Sequence, residues 1–392
     1  MKSFPAYIGP VALGIKMGVI FPGCDLAQMV VDAVEKCNSD KLLEDRDVLC
    51  LTESVLARAQ NNYVTVEDIS CQVREKLSLI GGSKLGVVFP IASRNRFSLI
   101  LEGLAAAVPR GEVIVVLSYP CDEVGNQVVP IDFMNFLAPE ASGKKSFRET
   151  DFKDLDFVHP ITKVNYIKLY KKIIEDCGAK ANIVLSNDPT EVLKYDPDGV
   201  IVADIHTRIK TFNKIKVQFQ NAITLKELCS TGESWSEWGL LGSNMASKKK
   251  LKLAPRLAGK FAEGLKQKVF HATGKDVEVI IYGDGAYKDP TTGIYELADP
   301  MPVFGATKGV TGKYREGVKY KYIADVGLEE GKTPKEIEEM LEQMKKSERA
   351  RDDIEFEGTT PRKMEDLLAS LADLVSGSAD AGTPLVLVKG FI

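Results

Sequence analysis

The stretch VEVIIYGDGAYKDP, Val277–Pro290, guides the interpretation of the whole chain. Four of its first five residues are Val or Ile, so it predicts a buried strand. The strand runs into a Gly-Asp-Gly turn at 283–285, with Lys288 and Asp289 just beyond. A small-residue turn that carries carboxylates is compatible with an ordinary hairpin. It is also compatible with the mouth of a site that holds a metal ion or a phosphate.

The composition of the chain is typical of a soluble globular protein. Its 392 residues suffice for two or three domains, and 44% apolar with 27% charged side chains is ordinary for folded proteins. A net charge of −4 and a pI near 5.7 argue against a nucleic-acid partner. Since no apolar run reaches the roughly 18 to 20 residues that a membrane helix needs, no membrane association is expected.

The cysteines and histidines indicate a reducing compartment and no zinc site. Seven cysteines lie at wide spacing without a C-x-x-C pair, which is typical of a cytoplasmic protein. The histidines at 159, 206 and 271 lack the short spacing of zinc ligands, so satisfied or surface histidines are the simpler interpretation.

The middle of the chain predicts a separate α/β lobe. A polar segment at 137–154 marks a boundary, and helix–strand–helix–strand alternation follows it. Such alternation is typical of parallel strand pairing.

The common nucleotide and hydrolase signatures are missing from the sequence. There is no P-loop, no G-x-G-x-x-G after a strand and no G-x-S-x-G elbow. The chain instead places polar loops after several predicted strands. These loops are Thr52–Ser54 with Arg58, Ser93–Arg96, Asp122–Glu123 with Asn126, Gly242–Asn244 and the turn at Asp284.

Two basic segments leave alternatives open. Arg94 and Arg96, which flank Asn95, either pair with carboxylates of the protein or bind an anionic ligand. The lysines between 248 and 252 form either a solvated face or the flank of an anion site.

In their order along the chain, these segments resemble the coenzyme F-420 γ-glutamyl ligase family. The resemblance near the N-terminus covers residues 12–70, with Gly23–Leu26 as a helix start and Asp47–Leu49 as a strand. Ser54, Arg58 and Gln60 stand where the family has a hydroxyl, a Lys and a Glu.

The resemblance near the C-terminus is the more specific one. The family's A-G-I-D-x-S-N loop is similar to GLLGSN at Gly239–Asn244, and its V-I-I-T-D-T strand end is similar to VIIYGDG at 279–285. Its closing G-I-P-x-V-V-V-R-G strand is similar to GTPLVLVKG at 382–390, with Lys389 in place of Arg.

The sequence also departs from the family pattern. Leu241 replaces an Asp of the S-N loop, and Leu257 and Gly259 stand at two acidic positions of a D-P-D segment. The lobe has no counterpart in the short archaeal enzymes. The charges of Arg94, Arg96, Asp122 and Glu123 are candidates to replace those that the departures remove.

The resemblance implies an α+β fold with a mixed β-sheet core and an inserted small α/β lobe. We expect residues 1–130 and 229–392 to form the core, and 131–228 to form the lobe. The family also implies a homodimer.

The resemblance further implies a ligase that uses GTP or ATP with Mg²⁺ or Mn²⁺. Such an enzyme activates an acid acceptor as an acyl phosphate, which the amine of glutamate attacks. The expected catalytic residues are Asp284, Arg94 and Arg96, and the expected metal ligands are Asp284 and Asp289. The expected nucleotide- and substrate-binding residues are Ser54, Arg58, Gln60, Asn95, Ser243, Asn244, Lys288 and Lys389.

The sequence is also compatible with two alternative functions. A related ligase would act on a folate-like or peptide acceptor. Because acidic positions are lost, a catalytically silent protein that binds a nucleotide or an amino acid is the alternative from a different class.

Overall fold

The computed structural model describes residues 7–141, 143–152, 156–159, 162–283, 287–288, 295–296, 299–315, 319–344, 362–376 and 382–392. In chain order its strands are β1 Val11–Ile15, β2 Val48–Thr52, β3 Tyr63–Thr65, β4 Lys84–Val88, β5 Glu112–Leu117, β6 Ser146–Arg148, β7 Lys180–Ser186, β8 Gly199–Val202, β9 Ala222–Thr224, β10 Asn244–Ser247, β11 Lys250–Lys252, β12 Glu278–Tyr282, β13 Tyr287–Lys288, β14 Tyr295–Glu296, β15 Val303–Ala306, β16 Tyr314–Arg315, β17 Arg362–Lys363 and β18 Leu385–Lys389.

The α-helices are α1 Leu26–Ser39, α2 Glu53–Ala59, α3 Val66–Leu77, α4 Ser98–Ala106, α5 Tyr166–Asp176, α6 Arg208–Lys216, α7 Ala258–Thr273, α8 Tyr320–Glu329, α9 Pro334–Met344 and α10 Met364–Ser376. Short 3-10 helices cover Phe133–Phe136, Pro139–Ala141, Glu149–Asp151, Pro189–Tyr195 and Leu225–Glu227. Among the described residues, no helix is both long enough and apolar enough to cross a lipid bilayer.

A five-stranded mixed sheet joins the two ends of the chain, in the order β1-β18-β2-β12-β15. β2 and β12 are parallel, from Glu278 opposite Val48 to Tyr282 opposite Thr52. The other pairs are antiparallel. The predicted buried strand is therefore confirmed as β12, and the predicted α+β fold with a mixed core sheet is confirmed.

The apolar runs of this sheet are explained by burial on both faces. Leu49 and Leu51 of β2 pack with residues of α1 and α7 on one face. Val48 and Cys50 alternate with them and pack with residues of α10 on the other face. Because successive strand residues point to opposite faces, a sheet covered by helices on both sides needs no polar alternation.

A second sheet of six strands has the order β6-β7-β5-β4-β8-β9. All of its neighbours pair in parallel except β6 with β7. The predicted parallel pairing after residue 160 is thus present, as β7 pairs with β5 and β8 pairs with β4 and β9. Taken in chain order, the five parallel strands follow the order 3-2-1-4-5 of doubly wound α/β folds.

The boundary of this second unit differs from the predicted one at residue 131. β4 and β5, expected in the core, lie at the centre of the six-stranded sheet. Their residues Leu85–Val88 and Val113–Leu117 are buried on both faces, like the core strands. An apolar run of this kind can form a buried strand in either sheet. The sequence pattern therefore does not show where the core ends and the six-stranded unit begins.

A small sheet of order β10-β11-β3 lies beside these two. Lys250 to Lys252 of β11 pair with Thr65 to Tyr63 of β3. β10 forms the outer strand, and Asn244 is opposite Lys252.

Candidate functional site

A pocket of about 470 Å³ opens at the carboxyl ends of the parallel strands β2 and β12. The amide of Thr52 at the end of β2 donates to the carbonyl of Pro384 (3.1 Å). This hydrogen bond joins the two segments of the pocket wall that contain these residues. The lining residues are Gly18–Ile20, Thr52–Val55 with Arg58, Asn244, Gly283, Asp373 with Ser376, and Gly382–Pro384.

The turn from β2 into α2 places three predicted site residues in or near this pocket. Ser54 and Arg58 are four positions apart on α2, so they share one face of the helix, and both line the pocket. Gln60 follows the helix and lies outside the lining. Its side chain donates to the carbonyl of Arg256 and accepts from the amide of Arg256, each at 2.8 Å. Gln60 therefore holds the backbone beside the site.

Glu53, the first residue of α2, forms a buried ion pair with Lys252 of β11. The ammonium of Lys252 donates to both carboxylate oxygens of Glu53, at 2.7 and 2.8 Å. Burial raises the pKa of the Glu53 carboxyl and the nearby Asp299 carboxylate adds to this, while the Lys252 ammonium opposes both. Neither residue was among the expected site residues, although a carboxylate directly after a buried strand was a usable signal.

A second ion pair joins the six-stranded unit to the core. Arg96, in the loop after β4, donates from Nη1 to Oδ1 of Asp299 at 2.7 Å, and the Asp299 side chain is 2% exposed. Of the two alternatives for this loop, Arg96 thus pairs with a carboxylate of the protein. Arg94 and Asn95 are exposed, and the carbonyl of Asn95 accepts from the amide of Met245 (2.7 Å).

Gly283 ends the opening stretch of strand and lines the pocket. A Cβ there would lie 2.4 Å from Oδ2 of Asp299 and 2.7 Å from the ring of Phe304. The close approach of these side chains therefore requires glycine at the end of β12.

The rest of the opening stretch is only partly described. Asp284 and Asp289, the expected metal ligands, lie outside the described residues. Lys288 is in β13, where it is paired with Tyr295 of β14. Among the described residues β12 pairs with β2 and β15, and not with β13, while the end of β12 lines the pocket.

The remaining predicted residues divide between the pocket and the framework. Asn244 lines the pocket, whereas Ser243 is buried beside it and its hydroxyl donates to the carbonyl of Leu240 (2.7 Å). Lys389 ends β18, at the opposite end of the strand from the pocket. Its ammonium is buried against the Asp47 carboxylate (2.7 Å) and the Leu42 carbonyl (2.8 Å).

The residues that replace acidic positions of the family pattern do not line the pocket. Leu241 is 2% exposed and belongs to the apolar core of the six-stranded unit. Leu257 precedes α7 with a left-handed φ of 50°, which Asp tolerates better than Leu. Asp122 and Glu123 lie after β5 and bond to loops of the six-stranded unit, so they do not replace charges in the pocket.

The oxygen donors at the site are carboxylates and amides, which are the types of ligand that a hard divalent cation prefers. The carboxylates of Glu53 and Asp373 line the pocket, and that of Asp299 lies beside Gly283; Glu53 and Asp299 are each paired with a basic side chain. Among the residues that the structure describes, no cluster of three or more potential metal ligands occurs. A complete ion site would thus need a further donor, the role expected of Asp284.

Comparison with known proteins decides the family. A family model described as F420-0:Gamma-glutamyl ligase matches residues 14–390, almost the full length of the chain. The chain belongs to this family. The resemblance seen in the sequence is confirmed, and the F420-0:γ-glutamyl ligase family identifies an enzyme that forms amide bonds to glutamate.

Other comparisons add little to this assignment. A chain in the crystal structure of the tetrameric eIF2B-beta2-delta2 complex from C. thermophilum is similar at 11% sequence identity, covering 41% of this chain and 42% of that chain. Its TM-score of 0.22 is too low to support any conclusion about fold or function. No curated protein matches the chain.

Proposed function

We propose that this γ-glutamyl ligase uses GTP or ATP to activate a carboxylate acceptor as an acyl phosphate. In the first step an oxygen of the acceptor carboxylate attacks the γ-phosphorus, and the nucleoside diphosphate leaves. In the second step the amine of L-glutamate attacks the acyl carbon, the amide bond forms, and inorganic phosphate leaves. The amine loses its proton to water or to a side chain in this step.

The observation that supports this proposal best is the pocket at the ends of β2 and β12. Its volume of about 470 Å³ lies in the range of small-molecule sites. It combines a hydroxyl at Ser54, an amide at Asn244 and a guanidinium at Arg58. Arg58 is exposed and has no acidic partner among the described residues, so its charge is available to an anion.

In this proposal, charged and neutral side chains of the pocket have different roles. Arg58 binds phosphate oxygens and stabilises charge that develops on them during transfer. Ser54 and Asn244 orient the acceptor by hydrogen bonds. The buried pairs Glu53–Lys252 and Arg96–Asp299 hold α2, β11 and the loop after β4 in position around the pocket.

We propose Mg²⁺ or Mn²⁺ as the cofactor, held by Asp284 and Asp289 with Glu53 or Asp299. When bound, such an ion would neutralise part of the triphosphate charge. We also propose a cytoplasmic homodimer. The family resemblance supports the dimer, and the seven cysteines, all within the described residues and present as thiols, support a reducing compartment.

The test is phosphate release by the purified full-length protein with nucleotide, glutamate and a panel of acid acceptors. We expect release that requires both glutamate and an acceptor. Arg58→Met should lower kcat/KM about 100-fold or more, since removing one donor from a developing anion has that effect in other enzymes. Its melting temperature should stay near that of wild type, because Arg58 is exposed.

Lys268→Met is the matched control for this variant. Lys268 is exposed on α7 and has no acidic partner within the described residues, so activity should be unchanged. Nucleotide binding without turnover across the whole panel would instead identify the catalytically silent alternative. A normal rate for Arg58→Met would remove Arg58 from the mechanism.

A further inference from the structure

The switch point of the six-stranded sheet lies between β4 and β8, where the strand order changes direction. Doubly wound sheets bind their ligands in a crevice at this point, outside the carboxyl ends of the strands. Ile91 in the loop after β4, and Ala203 and Ile205 after β8, line a cavity of about 20 Å³ there. We call it the switch-point cavity. It has room for about one water molecule, so it is too small for an organic ligand.

Two leucines of the same chain occupy this crevice. Leu240 and Leu241 line the switch-point cavity and are only 1% and 2% exposed. They belong to the loop Gly239–Asn244, which we call the linking loop, and both are part of the apolar core of the six-stranded unit. The place where a doubly wound sheet ordinarily holds a ligand is therefore filled by the linking loop.

Hydrogen bonds also fix the linking loop to the six-stranded unit. The amide of Leu240 donates to the carbonyl of Leu225, directly after β9 (3.0 Å). Met245, the next residue after the linking loop, donates from its amide to the carbonyl of Asn95, in the loop after β4 (2.7 Å). The conformation of the linking loop is therefore set by the six-stranded unit.

On its other side the linking loop contacts the core and the pocket. Gly242 has a φ of 71°, and a Cβ there would lie 3.2 Å from the ring of Phe304 in β15. Asn244, the last residue of the linking loop, lines the pocket at the ends of β2 and β12. Arg96, which also lines the switch-point cavity, pairs with Asp299 of the core. The linking loop thus extends from the switch-point cavity to the pocket.

Resting on the proposed role of Asn244 in orienting the acceptor, we infer that Leu241 is a positioning residue for the ligase reaction. Its side chain lies at the ends of β4 and β8 and fixes the linking loop, and the linking loop holds the Asn244 amide in the pocket. The six-stranded unit thus supports the active site through its switch point and does not bind a second ligand there. The effect is large because a misplacement of about 1 Å in a group that positions the substrate lowers the rate about 100-fold.

Leu241 has a simpler alternative role as an ordinary core residue. Leu104 of α4 provides the matched comparison, because it is 0% exposed and belongs to the same apolar core. It lines neither the switch-point cavity nor the pocket. Replacing either leucine with alanine leaves a cavity in the core and lowers stability. Loss of position in the linking loop is expected only for Leu241.

The experiment compares full-length Leu241→Ala, Leu104→Ala and Leu241→Met with wild type. The first measurement is amide hydrogen exchange, followed by mass spectrometry, in the segment 242–247 that contains the amide of Met245. The second is kcat/KM for phosphate release with nucleotide, glutamate and acceptor. Both are made at a temperature at which melting curves show every variant to be folded.

We expect Leu241→Ala to speed exchange in this segment and to lower kcat/KM, each at least about tenfold. Leu104→Ala should stay within about twofold of wild type in both measurements, although its melting temperature falls by a similar amount. Leu241→Met should restore both values to near wild type, because methionine has nearly the volume of leucine.

A double-mutant cycle tests whether Leu241 acts through Asn244. If it does, kcat/KM of Leu241→Ala/Asn244→Ala should be no lower than that of Asn244→Ala alone. If the two residues act independently, their effects multiply instead, and the inference is wrong.

Two further results would overturn the inference. One is equal change in Leu241→Ala and Leu104→Ala, which would make Leu241 a core residue only. The other is faster exchange in Leu241→Ala with normal kcat/KM. Hydrogen exchange needs no turnover, so wild-type protein that releases no phosphate would contradict the proposed ligase mechanism. Selective loosening of the segment 242–247 by Leu241→Ala would still support the attachment of the linking loop at the switch point.

Discussion

Two groups of buried or half-buried carboxylates lie near the carboxyl ends of parallel strands in this molecule, and they are stabilised in different ways. At the candidate site, Glu53 and Asp299 pair with Lys252 and Arg96. Each partner lies about two hundred positions away in sequence, with separations of 199 and 203 residues. In the six-stranded unit, the acidic side chains instead bond to amides and hydroxyls of the same unit.

The second group consists of Asp122, Glu123 and Asp204. Asp122 accepts from the amides of Ala92 (2.7 Å) and Asn126 (2.8 Å). Glu123 accepts from amides at the start of α6, including that of Thr207 (3.2 Å). Asp204 accepts from the hydroxyls of Thr207 (2.6 Å) and Thr211 (2.7 Å).

The difference indicates what each group does. An ion pair between separate units holds those units together, and its full charges can respond to a charged ligand. A carboxylate that accepts hydrogen bonds from amides and hydroxyls of neighbouring loops fixes the conformation of those loops. It has no basic side chain as its partner. We therefore propose that the first group supports the pocket and that the second shapes loops, and three predictions test that division.

The largest expected effect is on Lys252. Lys252→Met leaves the Glu53 carboxylate buried without its partner, which should lower the free energy of unfolding by about 3 to 5 kcal/mol. The double variant Glu53→Gln/Lys252→Met removes both charges and should recover most of that loss. Urea denaturation at neutral pH measures all of these values.

Lys172→Met provides the matched comparison, because the Lys172–Asp176 pair is exposed on both sides, at 71% and 63%. An exposed pair of this kind contributes roughly 0 to 1 kcal/mol, so this variant should be close to wild type. If Lys252→Met cost no more than Lys172→Met, the buried pair would not be holding the site together.

The second prediction concerns the pH dependence contributed by Asp204. Burial, with the nearby Glu123 charge, raises the pKa of Asp204 to about 6. Because the folded protein holds this proton more tightly than the unfolded chain, the stability due to Asp204 is present below about pH 4 and is lost as pH rises to about 6. Asp204→Asn, which cannot ionise, should lack this loss.

The advantage of Asp204→Asn over wild type should therefore increase from pH 4 to pH 7, by at most about 3 kcal/mol. Denaturation curves for both proteins across that range give the value. A difference that stays constant with pH would mean that Asp204 is ionised in the fold at all of these pH values.

The smallest effect is expected at Glu123. Glu123→Gln keeps one acceptor oxygen at the start of α6 but removes the negative charge, so a loss of about 1 kcal/mol is expected. Ligase turnover should be unchanged, because Glu123 lies outside the pocket lining. A large loss of turnover with little change in melting temperature would move the second group of carboxylates into the active site.

Part of the candidate site could be predicted from the sequence. Ser54, Arg58 and Asn244, which the family resemblance and the polar loops after predicted strands indicated together, line the pocket. Lys389 was also selected by its place in a motif, but its ammonium is buried against Asp47, 342 positions away. A motif position does not show which end of the sheet a side chain faces.

By itself, the sequence determined the local elements, the buried strand at Val277–Tyr282, the parallel pairing of the middle segment and the family. These follow from periodicity and motifs within short windows. Only the tertiary structure decided that β4 and β5 belong to the six-stranded sheet, and that Glu53 meets Lys252 and Arg96 meets Asp299. The physical reason is that the sequence of a strand that is apolar on both faces does not show which strands pair with it. The partner of a buried charge is likewise set by which distant segments meet in space.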